Sequence, residues 1–104
     1  ELGHLGFRNP RESVGRLFPH SIGHYLGMDL HDCQTISYDE PLVPGMVITI
    51  EPGIYVPNDD QYPSRYHGIG IRIEDDILLN QLGCSNLTEA MPKEIELLEQ
   101  LLSI

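Results

Sequence analysis

The chain has 104 residues, enough for one modest domain or part of one, with a small core. A hydrophobic fraction of 40% and a charged fraction of 21% exclude intrinsic disorder. The net charge of −10 argues against nucleic acid or an anionic membrane surface as the main partner and suits cationic ligands, such as metal ions or a peptide's free amino terminus. Cys33 and Cys84 have no CxxC spacing, so they imply a reducing compartment rather than a disulfide framework or a zinc ribbon. No apolar run reaches membrane-spanning length, and Glu1-Leu2-Gly3 is not a signal peptide. The chain does not begin with Met and is expected to be a piece of a longer polypeptide.

In chain order, residues 1–19 carry Gly3, Gly6, Pro10 and Gly15, which predict a frayed helix end and a loop rather than a helix. Residues 20–30 read as extended, with Gly23 and Gly27 marking a bulge or the close approach of another backbone or a ligand. Pro41, Pro44 and Gly45 punctuate a loop over 33–45. Residues 46–51 alternate as a strand, with Val47, Thr49 and Glu51 on one face and Met46, Ile48 and Ile50 on the other. Pro52-Gly53 interrupts it, and Ile54-Tyr55-Val56 resumes it. Residues 57–67 have loop chemistry.

Residues 69–74 alternate again, with Ile69, Ile71 and Ile73 pointing one way and Gly70, Arg72 and Glu74 the other. Asp75-Asp76 is predicted to be a tight turn or bulge, with a second strand returning over 77–80. A short extended piece follows near 85–88. Residues 92–103 form a helix that opens on Pro92, and its stripe of Ile95, Leu98, Leu101 and Leu102 is predicted to pack on the core.

Two strand ends thus deliver carboxylates just before turns, Glu51 and Glu74, with His20 and His24 upstream. The spacing of the two histidines matches a helical zinc motif, but Ser21 and Gly23 occupy the wrong places for it. In a strand the same spacing still puts both rings on one face. Each histidine alone reads equally as a surface or hydrogen-bonded core residue; three within twelve positions (His20, His24, His31) shift the balance toward a site. A Glu51 at the end of an apolar strand must be paired, protonated or bound to a cation if it is buried. Arg72 and Glu74 share a face, as a salt bridge or as a site pair. Tyr55 is either core or a phenol in the same cleft.

Three ordered stretches carry a resemblance. They are His20-Ser21-Ile22-Gly23-His24-Tyr25-Leu26-Gly27-Met28-Asp29-Leu30-His31-Asp32, then Pro44 to Tyr55 around Glu51-Pro52-Gly53, then Gly68 to Asp76 around Arg72-Ile73-Glu74. Together they resemble the successive motifs of the aminopeptidase P (Xaa-Pro aminopeptidase) family of pita-bread metallopeptidases, most like its mitochondrial-type members. Pro92-Lys93-Glu94-Ile95 resembles the family's closing helix.

The resemblance implies an α/β (α+β) fold, the C-terminal half of a pita-bread domain, with a curved antiparallel sheet and a C-terminal helix. All of residues 1–104 would belong to that one catalytic domain. It implies two divalent metal ions, commonly manganese, with His24, Glu51 and Glu74 as three of five ligands and Glu74 bridging. The other two are aspartates expected before Glu1. His20 and His31 would handle substrate, and Arg72 would steady the cleft beside Tyr55. Carboxylate-rich ligation suits hard ions, and a metal pair can activate water, with Glu51 placed to move a proton.

The implied reaction removes the N-terminal residue from peptides with proline second, and the isolated chain is expected to be inactive. Prolidase-type dipeptidase activity and a non-catalytic binding protein are the alternatives. The implied partner is the peptide, with no nucleic acid and no membrane, and a homo-oligomer is possible in the full-length protein. The implied compartment is mitochondrial, otherwise cytoplasmic.

Overall fold

A computed structural model describes residues 2–103. A 3-10 turn at Leu2–Leu5 leads to helix α1, Pro10–Leu17. Strands β1 (Val47–Ile50), β2 (Gly53–Tyr55), β3 (Gly70–Arg72), β4 (Asp75–Asn80) and β5 (Gly83–Asn86) follow, and helix α2 (Ile95–Leu102) closes the chain. β1, β4 and β5 form one antiparallel sheet in the order β1-β4-β5; β2 and β3 form another. No helix among the described residues is long and apolar enough to cross a membrane.

The two sheets are two halves of one ladder. Ile50 pairs with Asp75 and Gly53 with Arg72, so the register does not slip between them. Pro52 has no N–H to offer the ladder, and the regular pairing lapses there. Ile73 still donates its N–H to Pro52 O at 3.2 Å across the gap. Continued through the gap, the register sets Glu51 opposite Glu74. The strand predicted over 69–74 therefore does not turn at Asp75-Asp76. β4 begins at Asp75 and carries straight on, pairing with β1 instead of folding back on β3. The true reversal comes at Gln81-Leu82, where Asn80 Oδ1 accepts the Leu82 N–H and β5 returns.

Residues 1–19 also depart from expectation. Pro10 opens α1 at its first position, where a missing N–H costs no hydrogen bond. Gly15 is carried inside the helix despite its low propensity. The reason is burial: Leu17 is fully buried and joins Phe7, Val56 and Tyr62 in the core, with Leu2 and Tyr66 packed against it. Of the extended stretch at 20–30, only 22–26 lies along β1, through Glu51 N–H to Ile22 O (2.7 Å), Thr49 N–H to His24 O (2.9 Å) and Leu26 N–H to Val47 O (3.0 Å). Gly23 permits this approach, since a Cβ there would lie 1.9 Å from Thr49 O.

The β2–β3 ribbon has two distinct faces. Ile54, Ile69, Ile71 and Ile73 line a cavity of about 560 Å³ together with Leu17 and Phe18. Tyr55, Gly70 and Arg72 occupy the other face, as the alternation predicted. The described residues are spread out: their radius of gyration is 16.9 Å, against about 13 Å for a compact domain of this length. α2 forms where expected, but it opens after Glu94 rather than at Pro92, and it buries no residue. Ile95, Leu101 and Leu102 are 70%, 68% and 77% exposed, so the predicted core packing of this stripe is not realised among the described residues. Apolar periodicity reports an amphipathic face, not the surface that covers it.

Candidate active site

The polar face at the break in the ladder gathers most of the predicted residues. Thr49 and Glu51 lie two apart on one strand and point the same way. The Thr49 hydroxyl, on a residue only 3% exposed, donates to Glu51 Oε1 at 3.0 Å and accepts the His24 N–H at 3.0 Å. One hydroxyl thus ties the backbone of His24 to the carboxylate of Glu51. The two side chains meet directly: His24 Nε2 lies 3.1 Å from Glu51 Oε1, with their side chains 13% and 12% exposed.

The protonation of His24 follows from its other nitrogen. Nδ1 lies 2.9 Å from the Tyr25 carbonyl, which can only accept, so Nδ1 carries a proton. In the neutral ring Nε2 is then a bare lone pair, turned at a carboxylate oxygen. Two acceptors at this distance need a cation between them, a proton or a metal ion. Imidazoles that ligate metals are commonly fixed through the opposite nitrogen in this way.

Further acidic groups share the face. Glu74 stands opposite Glu51 by register, and Asp76 opposite Thr49. Like charges directly opposed on a ladder repel. Asp76 Oδ1 is buried and has no hydrogen-bond partner among the described residues. Oxygen and imidazole donors with unmet demand for a cation fit a hard divalent ion. The fit is incomplete in one respect: among the described residues, no three His, Cys, Asp or Glu side chains converge closely enough to hold one ion. His24 and Glu51 are brought together, whereas Glu74 is exposed and makes no ion pair among the described residues.

Arg72 pairs with Glu51 rather than with Glu74, its Nε lying 3.5 Å from Glu51 Oε2. Its Nη1 donates to the Tyr55 hydroxyl at 3.3 Å. The guanidinium is held above its ordinary value first by its interaction with the Tyr55 hydroxyl, which desolvation opposes, with Glu51 and Glu74 adding smaller contributions. Tyr55 is half-buried and lies outside the core cluster, with its hydroxyl engaged on the polar face. Its ring lies over Gly70, where a Cβ would sit 2.8 Å from Cδ1.

His20 reaches the same phenol. Its Nδ1 lies 2.8 Å from Ser21 O and so carries the proton, leaving Nε2, 3.0 Å away, to accept from the Tyr55 hydroxyl. Phe18 packs edge-on against the His20 ring at 4.8 Å. His31 is exposed, its ring 4.4 Å from that of His24 in an edge contact. Its loop is pinned by Asp32, whose carboxylate accepts the N–H groups of Met28 and Cys33 at 3.1 and 2.9 Å.

Sequence reasoning missed two contributors. Thr49 was placed on the right face but given no role; the available signal was its spacing of two from Glu51. Lys93, the chain's single lysine, was read only as part of a helix start. Its Nζ lies 2.8 Å from Asp75 Oδ1, beside the site.

The same residues place the chain among known proteins. Residues 3–81 match the model for metallopeptidase family M24. The chain is 54% identical over 99 residues to the mitochondrial intermediate cleaving peptidase 55 of Arabidopsis thaliana, covering 95% of this chain and 20% of the relative. It is 47% identical over 96 residues to human Xaa-Pro aminopeptidase 3, covering 91% and 19%. Among solved structures, Icp55 from Saccharomyces cerevisiae bound to apstatin inhibitor superposes with a TM-score of 0.83 at 47% identity, covering 98% of this chain and 25% of that one. The chain thus spans about a fifth of the length of the curated relatives it matches. By the extent of the family match and the closeness of these relatives, the chain belongs to metallopeptidase family M24.

Proposed function

We propose that the full-length polypeptide is a two-metal aminopeptidase that releases the N-terminal residue from peptides with proline in second position. These residues would form the C-terminal part of its catalytic domain. The observation that carries the reading is the His24 Nε2 lone pair facing Glu51 at 3.1 Å, with Glu74 opposite Glu51 in register. The names of the relatives, Xaa-Pro aminopeptidase and intermediate cleaving peptidase, supply the substrate class. The name of the Arabidopsis relative supplies the compartment, the mitochondrion.

On this reading His24, Glu51 and Glu74 hold the metal ions, which we take to be manganese. Divalent ions bound there would supply Lewis-acid polarisation of the scissile carbonyl and a water of lowered pKa. The chain's own residues do the rest. The Tyr25 carbonyl keeps the proton on His24 Nδ1 and so keeps Nε2 available as a donor. The Thr49 hydroxyl fixes Glu51 Oε1. Glu51 Oε2, approached by Arg72 at 3.5 Å, is the oxygen that takes up and returns a proton. His20 orients Tyr55, which steadies Arg72. His31, exposed beside His24, is placed to meet the peptide.

The test is to supply the manganese-loaded full-length polypeptide with an Xaa-Pro-Xaa tripeptide and follow release of the first residue. Glu51→Gln and His24→Ala should abolish the release. Cleavage of Xaa-Pro dipeptides alone would overturn the assignment in favour of a prolidase-type dipeptidase. No cleavage of either would leave a binding protein.

A further inference from the structure

Glu74 belongs to no strand. It lies in the gap between β3 and β4, and its own N–H and C=O pair with no other backbone group among the described residues. Its side chain is exposed and makes no ion pair among the described residues, so no side-chain contact found there fixes where the carboxylate stands. The residues on either side of it are held, Ile73 by Pro52 O at 3.2 Å and Asp75 by pairing with Ile50, and the Asp75 side chain is held as well. Lys93 Nζ donates to Asp75 Oδ1 at 2.8 Å, to Thr88 O at 3.0 Å and to Met91 O at 3.0 Å, which uses all three of its protons. The Thr88 hydroxyl donates to the same Asp75 Oδ1 at 2.7 Å and accepts the Asp76 N–H at 3.1 Å. Leu87 N–H closes on Asp76 O at 2.8 Å. The segment 87–93 is therefore buckled onto Asp75-Asp76, with Lys93 as the fastening.

We propose that Lys93 is a positioning residue for Glu74: by locking Asp75 from the back of the strand it fixes the peptide unit from which the Glu74 carboxylate projects toward the metal pair. The proposal rests on the reading that Glu74 holds metal. Groups that orient metal ligands typically contribute ten- to a hundredfold to metal affinity. Here the tie runs through the backbone, which places the effect at the lower end, about tenfold.

The experiment compares the wild-type full-length polypeptide with Lys93→Met, Lys93→Arg and the remote control Arg65→Met. Arg65 donates to Leu5 O at 2.9 Å and lies over the Tyr66 ring, contacts that share no residue with the strap, so its loss perturbs stability without touching it. Manganese is titrated calorimetrically into each metal-free protein. Amide exchange over Ile73–Asp76 is measured on the same samples. Lys93→Met should weaken manganese binding about tenfold and speed exchange at 73–76, and Lys93→Arg should restore most of both. At saturating manganese kcat should fall while KM for the peptide stays near wild type. Arg65→Met should leave affinity and local exchange unchanged.

Wild-type manganese affinity and exchange in Lys93→Met would overturn the proposal. If wild type itself binds no manganese, the proposed function fails and this inference fails with it. Exchange at 73–76 would then report only that the strap exists. Should Lys93→Met not fold, Thr88→Val removes the second tie to Asp75 and is judged by the same two readouts.

Discussion

Replacing Thr49 by valine tests the centre of the candidate site with almost no change of shape. The hydroxyl makes two contacts in a position 3% exposed, a donation to Glu51 Oε1 and an acceptance from the His24 N–H, both at 3.0 Å. A hydrogen bond to a charged group contributes about 1.5–3 kcal/mol, and a half-buried N–H left without an acceptor costs about 1–3 kcal/mol. Valine returns about 1 kcal/mol, because no hydroxyl then has to be desolvated. The net loss is about 3 kcal/mol, or about 6–12 °C in Tm for a catalytic domain of 150–250 residues. Urea titration of the metal-free full-length polypeptide measures it, with Thr49→Ser as the control that keeps the hydroxyl. Manganese affinity should fall in Thr49→Val and hold in Thr49→Ser. A valine variant within about 0.5 kcal/mol of wild type would show that Thr49 does not couple His24 to Glu51.

Other changes probe the surroundings. Gly23→Ala would drive a Cβ to 1.9 Å from Thr49 O, so the 22–26 segment must leave β1; a stability loss above about 3 kcal/mol is expected by thermal or urea unfolding. Tyr55→Phe removes the group shared by Arg72 and His20; kcat/KM for a proline peptide should fall about 10- to 100-fold, equivalent to about 1.4–2.7 kcal/mol of barrier. The Asp75 carboxyl is held down to about 2, from an ordinary 3.8, first by Lys93 and then by Thr88 and Asn86. Its folded-state pKa is the lower one, so the unfolded state binds more protons in that window. The stabilisation is complete above about pH 4 and drains away as pH falls toward 2, and Asp75→Asn should flatten stability against pH across that interval. Chelation should abolish peptidase activity and lower Tm, and manganese at a hundred times its Kd should restore about 2.7 kcal/mol.

The readable parts of this chain were those set by period and by local chemistry. Alternation set Glu51 apart from Ile48 and Ile50 within 46–51, and Arg72 and Glu74 apart from Ile69, Ile71 and Ile73 within 69–74, because side-chain direction in a strand follows position alone. Gly23 signalled a close approach, and β1 is what approaches. The misreadings share a different cause. Pro10 and Gly15 were weighed by propensity, a preference that the burial of Leu17 outweighs. The stripe on α2 was assigned to a core that the described residues do not supply.

The most instructive case is Asp75-Asp76. Two adjacent aspartates have the composition of a turn, and nothing local tells a turn from a strand whose first residue is clamped by a distant lysine. What makes Asp75 a strand residue is its pairing with Ile50 of β1, and the lysine that clamps its carboxylate stands eighteen positions away in sequence and 2.8 Å away in space. The same long-range fact governs the site. Glu51 and Glu74 were each legible as strand-end carboxylates. Their opposition was not, because it depends on one register running unbroken through Pro52 and Ile73. A turn at Asp75 would have sent the chain away from β1 and left Thr49 without Asp76 across from it. The one register shared by β2–β3 and β1–β4 is what makes two separate acids into facing ones, and like charges directly opposed on a ladder repel, which favours a cation beside them.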